Sequence, residues 1–197
     1  MKRRRLLGAL AALAVAPSLR ARPAGPRAAD HEAAWRALAA PGHSLILRHA
    51  ATVPGIGDPP GFRLDDCATQ RNLSAAGRAQ AQQLGAAVRA RGLRIDALRS
   101  SRWCRCLDTA RLAFPELPLK PLDALNSFFE DRSTAAAQTA ALRAWLATLG
   151  ARRAVLVTHM VNIAALTGEG VAMGEALVIA NAPAGPTTRV LARLRVG

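Results

Sequence analysis

Three short aliphatic runs set the architecture of this chain. They lie at residues 44–47, 95–98 and 154–157, and polar residues close each of them: Arg48-His49, Ser100-Ser101 and Thr158-His159. Apolar stretches this short, bounded by turn signals, read as buried strands rather than helices. Helical patterns separate them. Asn72 or Ser74 caps a helix that runs through Gln80, Leu84 and Val88 to a stop near Gly92. Residues 102–114 are helical up to Pro115, and residues 135–149 place Leu142, Trp145, Leu146 and Leu149 at core spacing. A short helix over residues 30–38, with Asp30 as its cap and Trp35 and Leu38 facing inward, precedes the first strand. Another over residues 160–166 follows the third. Residues 176–180 and 189–196 read as two late strands, and residues 115–134 as irregular. Strands alternating with helices through single crossovers give the expected fold class, α/β: a single three-layer α/β/α sandwich with a mostly parallel sheet.

Such a sheet places its functional side chains at the carboxyl ends of its strands. Arg48 and His49 stand at the first such end, Arg105 just inside the helix after Ser101, and His159 at the third. Two arginines and two histidines have a specific chemical use together. A neutral imidazole attacks phosphorus in line, while the guanidiniums and the second imidazole stabilise charge on the phosphoryl oxygens. That chemistry calls for no metal and no cofactor, and the sequence shows no obvious metal site. The Gly- and Pro-rich residues 52–66 follow His49 closely, where a loop shapes a substrate entrance.

The net charge of +14 raises the question of nucleic acid, but its distribution argues against it. Seven of the 27 basic residues fall in residues 1–27 with no acid among them, leaving 20 basic against 13 acidic residues in the rest. Those remaining arginines are scattered, with no aromatic-rich RNA-binding strand motif. A moderately basic domain suits a small anionic substrate instead. Residues 1–29 read as a signal peptide and linker, and residues 30–197 as one domain. Lys2 to Arg5 form a positive region and Leu6 to Ala16 an apolar one too short to span a bilayer comfortably. The expected address is export to a periplasm, by a general secretory or twin-arginine signal, with no stable membrane span after processing. Cleavage falls either after Ala16, where Pro17 obstructs it, or nearer Ala28 or Ala29. In an oxidising compartment Cys67, Cys104 and Cys106 allow one disulfide and one free thiol. Cys104 and Cys106, two apart in a helix, point away from each other, so Cys67 is expected to pair with one of them.

Four segments together resemble the histidine phosphatase superfamily, the phosphoglycerate-mutase-like proteins. Leu47-Arg48-His49-Ala50 with Thr52 is similar to the family's R-H-G/A-x-T signature. Residues 72–81 resemble its L-[ST]-x-x-G-x-x-Q-A helix start, residues 101–110 its S-x-x-x-R-x-x-x-T-A segment, and residues 155–159 the strand ending in the second histidine. The resemblance spans most of residues 43–168 and implies a metal-independent phosphoric monoester hydrolase of the histidine acid phosphatase type. His49 would be the nucleophile that becomes phosphorylated, and Arg48, Arg105 and His159 would bind the phosphoryl group. Thr52, Arg102 and Asn162 are candidate substrate contacts. The family often carries a glutamate where this chain has Ser127. The proton donor is therefore sought among Glu130, Asp131, Asp58 and Asp66, with Glu130 preferred. A small phosphorylated substrate is implied, such as an envelope sugar or glycolipid phosphate. The alternatives are a catalytically silent phosphate- or glycan-binding module and a phosphosugar mutase.

Overall fold

The computed structural model describes residues 28–182 and 185–195. The expected signal segment lies outside the described residues, apart from its last two positions. Six strands and five α-helices follow one another as α1 (Ala28–Ala39), β1 (His43–Arg48), α2 (Ala75–Ala90), β2 (Ala97–Ser100), α3 (Cys104–Ala113), β3 (Leu119–Pro121), α4 (Ala135–Ala147), β4 (Ala154–Thr158), α5 (Met160–Thr167), β5 (Ala176–Ala180) and β6 (Val190–Leu194). The strands form one sheet in the order β3-β2-β4-β1-β5-β6. β3, β2, β4 and β1 run parallel, whereas β5 pairs antiparallel with β1 and with β6.

The continuous aliphatic character of β1 and β4 follows from burial on both faces. Leu45 and Leu47 of β1, with Val155 and Val157 of β4, pack on one side against Trp35, Leu38, Leu84, Ala110 and Phe114 from α1, α2 and the α3 region. Ile46 and Leu156 point to the other side and meet Leu142 and Leu146 of α4 and Ile163 and Leu166 of α5. The period-2 alternation of the strand thus becomes two core layers.

Several boundaries differ from the sequence reading. The first helix begins before Asp30, which sits inside its first turn rather than capping it. β2 starts two residues late, at Ala97. Residues 115–134 are not wholly irregular: β3 pairs in parallel with β2, and short 3₁₀ turns cover Asp123–Leu125 and Arg132–Thr134. β3 is an edge strand of three residues, which is where a proline such as Pro121 is tolerated. α3 begins at Cys104, so Arg102 precedes the helix instead of occupying its first turn.

Two glycines set the position of α2. A Cβ at Gly77 would lie 1.8 Å from the Ala51 carbonyl oxygen, and one at Gly85 would lie 1.8 Å from that of Ala113. Only a glycine lets the helix sit this close to the chain leaving β1 and to the end of α3. Gln80, one turn beyond Gly77, then accepts a hydrogen bond from the Ala51 N–H at 3.1 Å and donates to the Met173 carbonyl at 3.2 Å. Ser74 caps the helix by accepting from the Gly77 N–H. A disulfide joins Cys67 to Cys104, tying the loop before α2 to the first residue of α3, and Cys106 remains a buried free thiol.

Candidate active site

The register of the parallel strands delivers the predicted side chains to one edge. Arg48 stands opposite Thr158, and Ser100 opposite Val157, so His49, Ser101 and His159 all leave the sheet at one level. The His49 N–H donates to the Thr158 carbonyl at 2.9 Å, fixing the backbone at the turn. Its ring Nδ1 lies 2.9 Å from the Ala50 carbonyl. A carbonyl only accepts, so Nδ1 carries the proton and the Nε2 lone pair is left for another partner. The ring is buried, and its pKa is drawn down to about 3 by that burial, with the neighbouring Arg105, Arg48 and Arg71 adding to the effect against the Ala50 hydrogen bond. His49 is therefore a neutral imidazole at ordinary pH.

His159 faces it, with ring centroids 5.5 Å apart. Its Nε2 is 2.9 Å from Ser101 Oγ, and Arg105 Nη2 approaches its Nδ1 at 3.5 Å. With Arg105 as the donor at Nδ1, the Nε2–H donates to Ser101, which can in turn donate to Asn126 Oδ1. Burial, then the charge of Arg105, holds the His159 pKa well below the usual histidine range.

Three guanidiniums surround the pair. Arg48 donates from Nη1 to the Val171 carbonyl at 3.0 Å, and Arg105 from Nη1 to Asp58 Oδ1 at 2.7 Å. The Nε groups of both arginines are buried and, among the described residues, have no acceptor. Arg71 donates from Nε to the Gly57 carbonyl at 2.7 Å and from Nη1 to Thr52 Oγ1. Two buried N–H donors without acceptors, beside one cavity, are costly in an empty site and are relieved by an anion. That cavity has a volume of about 410 Å³ and is lined by Arg48, His49, Arg71, Arg105 and His159, with Asp58, Ser127, Glu130, Asp131 and several apolar side chains.

A family model, the histidine phosphatase superfamily (branch 1), matches residues 45–131. The match takes in Arg48, His49 and Arg105, and over that stretch the chain is similar to this superfamily. Among curated proteins none matches the chain. Solved structures with the same fold include the protein histidine phosphatase SixA complexed with tungstate, at 14% identity and a TM-score of 0.56, covering 78% of this chain and 96% of that one. A putative phosphohistidine phosphatase SixA from Agrobacterium tumefaciens shares 20% identity at a TM-score of 0.51, covering 80% of this chain and 99% of its own. A putative alpha-ribazole-5'-P phosphatase from Escherichia coli K-12 shares 19% at a TM-score of 0.53, with 79% and 96% covered.

The four central residues of the histidine phosphatase motif, Arg48, His49, Arg105 and His159, come together as the sequence predicts, and Glu130 lines the cavity with them. Three predicted contacts do not line it. Thr52 is buried behind the wall, where it accepts from Arg71 and donates to Met173 Sδ at 3.6 Å. Arg102 is exposed and ion-paired with Asp123 at 2.6 Å, because it lies ahead of α3. Asn162 sits inside α5 and donates to the Asn126 carbonyl at 2.8 Å, holding the segment that carries Ser127.

The carboxylates also separate. Asp66 caps a 3₁₀ turn and pairs with Arg63, away from the cavity. Asp131 accepts from the Ser133 N–H at 2.9 Å, and hydrogen bonding from the Ser133 side chain, then from its N–H, lowers the Asp131 pKa. Asp58 accepts from Arg105, from the Arg71 N–H at 2.9 Å and from Trp103 Nε1 at 3.0 Å. Burial pushes the Asp58 carboxyl upward, but these donors outweigh it and hold its pKa low. A carboxylate so held stays ionised and is a poor proton donor. Glu130 is left as the cavity carboxylate without such a tie. Arg71 was not legible as a site residue: it directly precedes the helix-start motif and carries no pattern of its own.

Proposed function

We propose that this protein is an exported histidine phosphatase that hydrolyses a phosphomonoester through His49. The observation that carries the reading is the pairing of a neutral His49, its Nε2 lone pair available, with the unpartnered buried Nε groups of Arg48 and Arg105. His49 Nε2 attacks phosphorus, the N–P bond forms and the ester P–O bond breaks, while Glu130 passes its proton to the departing oxygen. Water then attacks the phosphohistidine, the N–P bond breaks, inorganic phosphate leaves, and Glu130 recovers a proton. Arg48, Arg105, Arg71 and His159 offset the charge on the equatorial oxygens. The Cys67–Cys104 disulfide supports export, since such bonds persist in oxidising compartments.

The test is turnover of an aryl phosphate and of a sugar phosphate by purified protein, beside His49→Ala. We expect hydrolysis by the parent with an acid-labile phosphohistidine on His49, and loss of both in the variant. Phosphate binding with no turnover and no trapped phosphohistidine would favour a silent phosphate-binding module instead. Two observations favour that second reading: Asp58 already holds Arg105, and Ser127 stands where the family often has its acid.

A further inference from the structure

The cavity is charged at its base and apolar at its mouth. Among the described residues five large apolar side chains are exposed: Val53, Ile56, Leu64, Phe129 and Met160. Ile56, Phe129 and Met160 line the cavity, and Val53 and Leu64 belong to the same 52–66 loop that presents Ile56. Ile56 is 91% exposed, a large apolar surface left in water. Exposed apolar residues are commonly scattered singly; three of them meeting at one opening mark a binding surface. The apolar lining continues inward. Trp103 lies 5.2 Å from the His159 ring and 5.9 Å from Phe62, so aromatic surface reaches from the histidine pair to the rim.

The polar groups along this path are in part already engaged. Ser127 Oγ accepts from the Phe129 N–H, Asp131 from the Ser133 N–H, and Asp58 from three donors. Glu130 is assigned to the leaving oxygen. A polyhydroxylated leaving group would find few partners here and would lose its water to apolar walls. An alkyl or aryl group would bury Ile56 and Phe129 and be buried by them.

Resting on the phosphatase reading above, we infer that the substrate is a phosphomonoester whose leaving group is apolar, held by Trp103, Phe62, Ile56, Phe129 and Met160, rather than a sugar phosphate. The guanidiniums take the phosphoryl end and the rim takes the hydrocarbon end. Ile56, in the loop directly after the nucleophile strand, is a specificity determinant.

Two series test this. In the first, methyl, butyl and hexyl phosphate and glucose 6-phosphate all release an unhindered alcohol, so leaving-group chemistry is nearly matched and kcat/KM reports the contact. In the second, methyl-, butyl- and hexylphosphonate cannot be hydrolysed, and calorimetry reads their binding without turnover. Half-buried methylenes should contribute about twofold each, so about thirtyfold from methyl to hexyl, in both series. Glucose 6-phosphate should fall below butyl phosphate. Ile56→Ser with Phe129→Ser should reduce the hexyl-to-methyl ratio about tenfold, a ratio insensitive to loss of folded protein. Flat series in protein that still forms phosphohistidine would overturn the apolar site and leave the phosphatase standing. Phosphonates that tighten with chain length while no ester turns over would support the apolar site and overturn hydrolysis. A flat phosphonate series with sedimentation on anionic-lipid vesicles would assign the rim to a lipid surface and overturn the inference.

Discussion

An imidazole attacks phosphorus only while its ring nitrogen has a free lone pair, so protonation state decides what His49 can do. Burial beside three guanidiniums keeps His49 and His159 neutral. Carbon-13 histidine NMR of the unliganded protein should show neither ring titrating between about pH 5 and 8, whereas a step near 6.5 in either would contradict the site as described. The same depression has a cost in acid. The unfolded chain takes up these protons near 6.5 and the folded His49 only near 3. Between those values the unfolded state binds more protons, so the stability present above pH 6.5 drains away as pH falls. Asp58 acts in the same sense, because its folded pKa is also held low and its contribution too is lost as pH falls. Its side chain is 4% exposed against Arg105 at 5%. Asp58→Asn should destabilise the unliganded protein by about 3 kcal/mol, as loss of one partner of a buried ion pair does. It should also tighten inorganic phosphate binding, because Arg105 is released from a competing anion. Calorimetry that shows weaker phosphate binding would mean Asp58 orients Arg105 rather than competes for it.

At the scale of elements, the strand-end motifs were readable because each is contiguous: an aliphatic run followed by its chemistry. Arg105 and Thr109 were readable for a related reason, since a helix fixes their spacing, and Thr109 Oγ1 accepts from the Ala50 N–H at 3.0 Å. The Asp58–Arg71–Arg105 cluster was not readable, because a loop folding back over the sheet edge creates it and no local periodicity announces it. β3 was hidden likewise: Leu119-Lys120-Pro121 has no strand character apart from its neighbour β2. The two α2 glycines allow a sharper test of how elements position the site. Alanine at Gly77 or at Gly85 meets a carbonyl oxygen at 1.8 Å, and the backbone has to give way. Each should cost about 2–3 kcal/mol, or about 4–12 °C in Tm. Gly77→Ala alone should also depress kcat, since Ala51 is two residues from His49, whereas Gly85→Ala should keep kcat in the protein that remains folded. Equal kcat losses in both would show that α2 does not position the nucleophile.

For the whole molecule, the Cys67–Cys104 bond closes a sequence separation of 37 residues around α2 and β2. In the chain-entropy description a loop of that length contributes about 4 kcal/mol. Reduction, or Cys67→Ser with Cys104→Ser, should therefore lower Tm by about 8–16 °C. An unchanged Tm would mean that Gln70, which accepts from the Cys104 N–H at 2.9 Å, already secures this junction without the covalent link. The position of β1 sets a different constraint. Its partners β4 and β5 are both more than 100 residues further along the chain, so no early segment can assemble the histidine pair by itself. Contacts of such long sequence separation form slowly and late in refolding. Phosphate-binding competence after dilution from denaturant should thus appear in a single late phase, lagging the recovery of helical circular dichroism, so that the site keeps time for the closing of the sheet.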